Sequence, residues 1–420
     1  MPPRSSANSS PRLSRRFCAH LLALMGASLA GVTVSAAQLQ LESVLGDSAP
    51  SGRAGSFARA ETARTFVFPA DHGPHERFRS EWWYLTMSLE SADGALFGVQ
   101  FTAFRQALGA GASAGASAAA SAAASAAASA AASENRLSAG PWAGNQLYLA
   151  HLAVTDVTGN VHLEEERLSR AHPDLAGARS DPFRVWVDGW SLSALERPDS
   201  EEAAGTEFSL PAFALHGRAD KFDVQLSLLP AKELVLQGDE GLSPKGPDQA
   251  SYYYSMTRIA AQGTLRMGGQ THQVKGTAWL DREWSTSLLS SRQEGWDWFG
   301  LQLEGNEELM VFQLRRKDRS RDPYDQGLWV YPNGDSQRLK AADFDLQPLR
   351  YWRDDSGVSW PVEWRLVVRL PAGVRHYQIE AAVEDQRMDT LLTYWEGLVR
   401  VRDDKGRDMG RGYMELTGYE

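Results

Sequence analysis

Residues 276–284 read Gly-Thr-Ala-Trp-Leu-Asp-Arg-Glu-Trp, an alternation of apolar and polar residues that predicts a β-strand. Because successive side chains of a strand point to opposite faces, Trp279, Asp281 and Glu283 are expected to share one face. Similar alternating stretches, such as 222–228 and 364–370, recur along the chain between Gly, Asp, Asn and Pro residues. No long amphipathic helical pattern competes with them. We therefore predict an all-β protein.

A repeat within the chain predicts two domains built on one plan. Without any gap, residues 263–281 align with residues 397–415, which places Asp281 opposite Glu415. An opening hairpin also recurs, with Trp83 aligned with Trp298. We predict two antiparallel β-barrels in tandem, at residues 66–290 and 291–420, each closed around a hollow interior that is lined by side chains.

The beginning of the chain predicts export from the cell. A basic head with Arg12, Arg15 and Arg16 precedes an apolar stretch at 17–34, and small residues follow at 35–37. This order is typical of a secretory signal peptide covering residues 1–37, and an uncleaved membrane anchor is the alternative. We expect the mature protein in the periplasm or cell envelope.

Two segments are expected to lie outside the barrels. Residues 38–65 are polar and aperiodic, so we expect a flexible lead before the first domain. Residues 108–133 consist almost entirely of Ala, Ser and Gly and have no apolar face to bury, which indicates an exposed insertion into a hairpin of the first domain.

Charge and cysteine content exclude several classes of function. The formal net charge is −10, and charges of both signs are mixed along the chain, which argues against nucleic-acid binding. The single cysteine, Cys18, lies within the signal peptide, so the mature chain has no thiol for disulfides, metal ligation or catalysis. His72 and His75 lie near Asp71, but no third and fourth ligands are evident, so we predict no metal and no cofactor.

Several motifs resemble a known family. They are the stretches at 68–75, 80–84 and 276–284 and the tail at 410–419, which ends Gly-Arg-Gly-Tyr-Met-Glu-Leu-Thr-Gly-Tyr. Together they resemble the AttH/carotenoid-hydratase family over nearly all of residues 66–420. The resemblance implies two lipocalin-like antiparallel β-barrel domains in tandem. It also implies either carotenoid 1,2-hydratase activity, which adds water to an isoprenoid alkene, or an accessory role with an envelope ABC transporter.

Carboxylates near tryptophans are the candidate catalytic residues. Asp281 and Glu283 on one wall of an apolar cavity would have raised pKa values and could protonate an alkene, whose cation the indole rings would stabilise. The alternative is a hydrogen-bonded girdle at a barrel mouth, which the alignment of Asp281 with Glu415 favours. Glu81 is a third candidate acid, and because a buried carboxylate requires a partner, Arg258 or Arg282 is expected beside it.

A set of mostly aromatic residues forms the predicted ligand wall, with packing of the barrel cores and domain interfaces as the alternative. The set is Trp82, Trp83, Tyr84, Arg258, Trp279, Trp284, Trp296, Asp297 and Trp298. Asp297 is the strongest acid candidate in the second barrel. By strand alternation, Trp82 and Tyr84 should face away from Glu81 and Trp83.

Three functions remain open from the sequence. The preferred hypothesis is an exported protein that binds or carries a hydrophobic small molecule, either a lipid or an isoprenoid. The second is a hydro-lyase of the carotenoid-hydratase type that acts through carboxylic acids. The third is a partner of an envelope ABC transporter.

Overall fold

A computed structural model describes residues 57–108, 145–195, 210–286 and 289–419. The predicted signal peptide and nearly all of the Ala/Ser-rich insertion lie outside these residues. Within them, no helix is long and apolar enough to cross a membrane. The helical content of this part is confined to three short 3₁₀ turns at Ala70–His72, Glu304–Asn306 and Ala341–Asp343.

Thirteen strands form the first sheet. They are β1 (Ser80–Ser91), β2 (Leu96–Ala107), β3 (Gln146–Asp156), β4 (Val161–Arg170), β5 (Ala176–Ser180), β6 (Phe183–Val187), β7 (Trp190–Ala194), β8 (Phe213–Arg218), β9 (Phe222–Pro230), β10 (Val235–Leu236), β11 (Leu242–Gly246), β12 (Gln249–Met267) and β13 (Gln270–Ser285).

Ten strands form the second sheet. They are β14 (Gln293–Leu303), β15 (Glu307–Arg316), β16 (Gln326–Val330), β17 (Ser336–Lys340), β18 (Phe344–Arg353), β19 (Ser359–Leu370), β20 (Gly373–Ala381), β21 (Arg387–Asp389), β22 (Thr393–Asp403) and β23 (Asp408–Leu416).

Both sheets are antiparallel, and in each the first strand pairs with the last. The main path of the first sheet is β4-β3-β2-β1-β13-β12-β9-β8-β7-β6-β5, and that of the second is β17-β16-β15-β14-β23-β22-β20-β19-β18. One of the two is a nearly closed barrel. The predicted all-β fold of two lipocalin-like domains in tandem is therefore confirmed.

The interior of each sheet is filled rather than hollow. Large side chains such as Trp83 and Trp190 in the first sheet, and Trp329, Trp360 and Trp364 in the second, are fully buried in hydrophobic clusters. Such aromatic side chains occupy the space that the sequence analysis assigned to a ligand. The prediction of a hollow interior in each barrel was wrong.

The register of the repeat also differs by one residue from the sequence alignment. Tyr84 lies opposite Asp281 between β1 and β13, and Trp298 lies opposite Glu415 between β14 and β23. Tyr84, and not Trp83, is therefore the counterpart of Trp298. Side chains alternate between the two faces of a strand, so an alignment that is shifted by one residue matches Trp298 with a side chain on the opposite face of β1.

The segment before β1 packs against the first sheet. Tyr252 donates a hydrogen bond to the carbonyl of Thr62 (2.9 Å), and the amide of Ala58 donates to the carbonyl of Arg77 (2.8 Å). The ring of Phe66 packs edge-on against Trp284 with centroids 5.6 Å apart. Residues 57–65 therefore lie against the first domain, held by hydrogen bonds, in contrast to the flexible lead predicted for them.

Candidate active site

A cavity of about 230 Å³ lies between the two sheets, and most of its lining is apolar. Both domains contribute to it. The first supplies residues from β1 to β4 and β11 to β13, and the second supplies residues from β14, β15, β22 and β23 and from the residues just before β22. The residues that line it include Trp82, Tyr84, Phe104, Leu147, Leu149, Leu168, Lys245, Tyr253, Asp281, Glu283, Trp296, Trp298, Leu391, Leu392, Tyr394, Glu396 and Glu415.

Aromatic rings from both domains meet at the base of this cavity. Trp298 of β14 packs edge-on against Tyr84 of β1 (centroids 5.2 Å apart) and against Trp279 of β13 (6.2 Å). These rings belong to one hydrophobic cluster that joins the two sheets. These edge-to-face contacts fix the orientation of the two rings that line the cavity, Tyr84 and Trp298.

Asp281 is buried on this wall and accepts three hydrogen bonds. Ser255 Oγ (2.5 Å) and Trp279 Nε1 (2.6 Å) donate to Oδ1, and Tyr253 Oη (2.5 Å) donates to Oδ2. Burial raises the pKa of Asp281 to about 7, although the three donors act in the opposite direction. The group is therefore balanced between its two protonation states near neutral pH.

Glu283 shares the same face of β13 but is held in an ion pair. Lys245 of β11 and Ser251 of β12 both donate to its Oε1. Lys245 is itself largely buried. A buried carboxylate with a paired ammonium group is a fixed dipole, and this pair is part of the cavity lining.

Glu396 and Glu415 face the cavity from the second domain and are cross-strand neighbours on β22 and β23. Burial, and then the charge of Glu415, raise the pKa of Glu396 well above its usual value. Burial raises the pKa of Glu415 to about 8, to which Glu283 and Asp281 of the first domain contribute, while Trp296 and Lys245 lower it. Both groups therefore favour the neutral, protonated form more than an ordinary glutamate does.

Glu396 differs from Asp281 and Glu283 in that neither of its carboxyl oxygens forms a hydrogen bond of normal geometry within the part of the chain that the structure describes. The hydroxyls of Tyr84 and Tyr394 lie beside it and lower its pKa somewhat. No described residue, however, forms a hydrogen bond of normal geometry with either of its carboxyl oxygens. The Tyr84 hydroxyl also lacks such a bond within the described residues. Buried polar atoms are normally paired, so this one carboxyl group is left available to a bound molecule.

Seven of the sequence-predicted site residues gather at the cavity or directly behind its wall. They are Trp82, Tyr84, Trp279, Asp281, Glu283, Trp296 and Trp298. The shared face of Trp279, Asp281 and Glu283 and the orientation of Trp82 and Tyr84 follow strand alternation as expected. Glu415, whose alignment with Asp281 had favoured a girdle role, lines the same cavity.

Glu81 borders the cavity, but its carboxylate is bound in a buried charge network. Arg105 donates to Oε1, Arg282 Nη2 donates to Oε2 (3.0 Å), and the backbone N–H of His75 donates to both oxygens (2.8 and 3.1 Å). Burial acts to raise the pKa of Glu81, but Arg105, His75 and Arg282 together hold it far below its usual value. A carboxylate held this strongly ionised is unsuited to donating a proton, in contrast to its predicted role as an acid.

Four other predicted wall residues lie elsewhere. Trp83 is in the core of the first domain beneath the Arg282 guanidinium, whose Cζ lies 3.9 Å from the ring centroid. Trp284 stacks on His75 (3.7 Å) on the opposite face of β13. Arg258 donates to Glu308 instead of Glu81.

Asp297 is the last of these four. It is buried on the far face of β14, where it accepts hydrogen bonds from Gln313 (2.9 Å) and Tyr419 (2.8 Å). Burial raises its pKa to about 6.

The histidines near Asp71 serve the same buried network. His75 contacts Asp71 through Nε2 and Glu81 through Nδ1, both at 3.1 Å. His72 Nδ1 lies 2.7 Å from the Tyr254 hydroxyl. No metal-binding cluster of His, Cys, Asp and Glu occurs among the residues that the structure describes.

Sequence reasoning missed Lys245, Tyr394 and Glu396. A pattern around Glu396 could have revealed it, since Tyr394 and Glu396 alternate with apolar residues in the same way as the face of β13. Lys245 lies on a short strand with a register shift between Pro244 and Gly246, where alternation carries no information.

The raised pKa of Asp281 predicts a pH-dependent stability. A carboxyl group whose pKa is higher in the folded state stabilises the fold at pH values below about 4, and this contribution is lost as the pH rises to about 7. Relative to the wild type, Asp281→Asn should therefore gain stability between these pH values, by up to roughly 4 kcal/mol. Urea unfolding across this range measures the effect. A stability difference independent of pH would contradict the assignment.

Comparison with known proteins places this architecture in a family. A family model described as AttH-like matches residues 59–419. The chain therefore belongs to the AttH-like family. Its sequence is similar to kievitone hydratase of Fusarium solani subsp. phaseoli, with 21% identity over 192 residues. This match spans 43% of the chain and only about half, 52%, of the length of that enzyme.

Two crystal structures resemble the fold over most of the chain. An AttH candidate from Nitrosomonas europaea is 32% identical, with a TM-score of 0.69, and the match covers 87% of this chain and 100% of that one. Kievitone hydratase from Nectria haematococca is 13% identical, with a TM-score of 0.56, and the match covers 87% of this chain and 98% of that one. The second likeness concerns the fold alone.

Proposed function

We propose that this protein is a hydratase or hydro-lyase that adds water to, or removes it from, an apolar alkene-bearing molecule in the cavity between its two domains. The observation that carries the proposal is the presence in one cavity of Glu396, whose raised pKa favours the neutral acid and whose oxygens lack hydrogen bonds of normal geometry to the described residues, together with Asp281 from the other domain. The sequence similarity to kievitone hydratase supports the same class of reaction.

In the forward reaction Glu396 acts as the general acid. Its carboxyl proton is transferred to one alkene carbon, the π electrons form the new C–H bond, and a carbocation develops on the other carbon. The rings of Trp298 and Tyr84 lie at the cavity base and stabilise the positive charge through their π-faces. An isolated alkene is a weak base, so a neutral carboxylic acid in an apolar site is the appropriate donor.

Asp281 acts as the general base. Water attacks the cation, a C–O bond forms, and the proton released by the water passes to the Asp281 carboxylate. Ser255, Tyr253 and Trp279 hold this carboxylate in one orientation and leave part of its acceptor capacity free. A pKa of about 7 suits a base that must accept and then release a proton near neutral pH.

Incubation with trisubstituted alkenes of the squalene and lycopene type in deuterated water tests the proposal. We expect deuterium at the carbon next to the new tertiary alcohol. Glu396→Gln and Asp281→Asn should each lower the rate of this incorporation by about 10²- to 10⁴-fold. Asp297→Asn is the matched control, because this buried carboxyl group with a raised pKa lies outside the cavity. Incorporation that survives both cavity substitutions would exclude these residues from the reaction.

The mechanism requires an ionised Asp281 and a protonated Glu396, which predicts a bell-shaped dependence of kcat/KM on pH. Asp281 must be ionised to accept a proton, so activity should rise as the pH passes about 7. Glu396 must be protonated, so activity should fall again at higher pH. A steady-state profile measures both limbs, and Asp297→Asn should retain them. A profile that falls through pH 7 would reverse the assignment of acid and base.

Binding of a hydrophobic molecule without reaction is the second candidate function. The apolar lining of the cavity favours it, since burial of apolar surface contributes about 25 cal/mol per Å². Mass spectrometry of lipids that copurify with the mature protein tests it: a reproducible lipid or isoprenoid, bound without deuterium incorporation, would favour a carrier. Export to the periplasm or cell envelope and association with an ABC transporter stay predictions.

A further inference from the structure

We propose that His151, together with Tyr394 and Glu166, forms a proton relay that connects Glu396 in the cavity with the solvent. This inference rests on the proposed hydratase function, because it assigns a route by which the general acid is reprotonated. His151 does not itself line the cavity and reaches it only through the lining residues Tyr394 and Phe104, so it is a positioning and relay residue rather than a catalytic one.

The relay consists of contacts on both ring nitrogens of a fully buried histidine. His151 Nδ1 lies 2.8 Å from the Tyr394 hydroxyl, and Nε2 lies 3.0 Å from Glu166 Oε2. The His151 side chain has no exposed surface, whereas that of Glu166 is 24% exposed. The chain of groups therefore begins at the surface on β4, passes through β3 and ends at a cavity residue on β22.

The surroundings of His151 contain few other polar groups. The Thr390 hydroxyl lies 3.4 Å from Nε2, and the Leu391 amide donates to Glu166 Oε2 (3.0 Å). Phe104 packs edge-on against the imidazole (5.5 Å). Among the described residues in contact with His151, Glu166 and Tyr394 are the titratable groups. A proton can therefore enter the ring from Glu166 and leave it to Tyr394.

Tyr394 completes the connection to the acid. Tyr394 and Glu396 are two residues apart on β22 and therefore point to the same face, and both line the cavity. The Tyr394 hydroxyl is close enough to Glu396 to influence its pKa.

The transfer moves one proton and no electrons. Glu166 gives its carboxyl proton to Nε2, the proton on Nδ1 passes to the Tyr394 oxygen, and the Tyr394 hydroxyl proton passes to the Glu396 carboxylate. Solvent reprotonates Glu166, and tautomerisation of the imidazole, in which Nε2 loses a proton and Nδ1 takes one up, restores the Nδ1–H form. An imidazole is suited to this role because it has one nitrogen for entry and one for exit.

The reaction chemistry gives this route a purpose. Each hydration leaves Glu396 ionised and Asp281 protonated, on walls supplied by different domains. While the product fills the apolar space between them, direct return of the proton is blocked. The path through Glu166, His151 and Tyr394 returns a proton to Glu396 without passing through the occupied cavity.

Exchange of the Glu396 proton with deuterated solvent, measured with the cavity filled by a saturated hydrocarbon such as squalane, tests the relay without requiring turnover. The carboxyl C=O stretch of Glu396, assigned as the infrared band that Glu396→Gln removes, shifts when the proton is replaced. His151→Phe and Glu166→Gln should slow this shift by on the order of 10- to 100-fold. His162→Gln is the matched control, a histidine of β4 that is bonded to Thr155 outside the relay.

A second readout separates a relay from a structural role. Small imidazole buffers should restore part of the lost exchange rate in His151→Ala, and its folded state is verified by near-UV circular dichroism. Unchanged exchange in both His151→Phe and Glu166→Gln would overturn the relay, whatever the enzyme activity. Slowed exchange without any hydration by the wild type would instead overturn the proposed function and leave the relay standing.

Discussion

Glu396→Gln is expected to lower kcat for hydration by 10²- to 10⁴-fold, the contribution typical of a general acid. The substitution keeps the shape of the side chain but removes the proton that must reach the alkene. Because glutamine is neutral, as Glu396 is at neutral pH, the apolar cavity should keep its affinity for the substrate. Steady-state kinetics together with quenching of the cavity tryptophans measure the two effects separately.

Asp297→Asn provides the comparison for this variant. It also removes a buried carboxyl group with a raised pKa, but on the opposite face of β14. We expect its kcat to remain within a few-fold of the wild type. Equal losses in both variants would indicate a general effect of buried carboxyl groups on folding and would contradict the role of Glu396.

Glu81→Gln is expected to destabilise the fold by about 3–5 kcal/mol, the cost of leaving buried charges without their partner. Arg105 and Arg282 both direct guanidinium groups at this carboxylate, and the side chains of all three residues have no exposed surface. Glutamine can satisfy some of the hydrogen bonds but none of the charge. Urea or thermal unfolding at neutral pH measures the loss.

Glu90→Gln is the control on the same strand. Glu90 pairs with Arg411 at 3.4 Å, and both side chains are substantially exposed. Exposed pairs contribute little, so this change should alter the free energy of unfolding by less than about 1 kcal/mol. If Glu81→Gln were as mild as Glu90→Gln, the buried network would not anchor the segment before β1.

The faces of individual strands could be predicted from the sequence. Alternation alone placed Asp281 and Glu283 together with Trp279 and separated Tyr84 from Trp83, because the period of a strand is fixed by backbone geometry. The repeat likewise predicted two similar sheets. Strand faces depend on local sequence, and the repeat is visible when one stretch of the chain is compared with another, so both could be predicted.

The site itself depends on contacts that alternation does not determine. The predicted ligand site was the interior of each barrel, whereas large buried aromatic side chains fill those interiors and the cavity forms where two outer faces meet. Glu396 was missed because its raised pKa requires Glu415 beside it and burial by the other domain. Arg258 was misassigned because its true partner, Glu308, lies on the second sheet.

A crystal structure of the complex with a short trisubstituted isoprenoid alkene tests the central claim most directly. We predict that the alkene lies between the two sheets, with its double bond within hydrogen-bonding reach of the Glu396 carboxyl group and facing Asp281. An alkene located within the core of either sheet, or on a surface away from both carboxyl groups, would contradict this account.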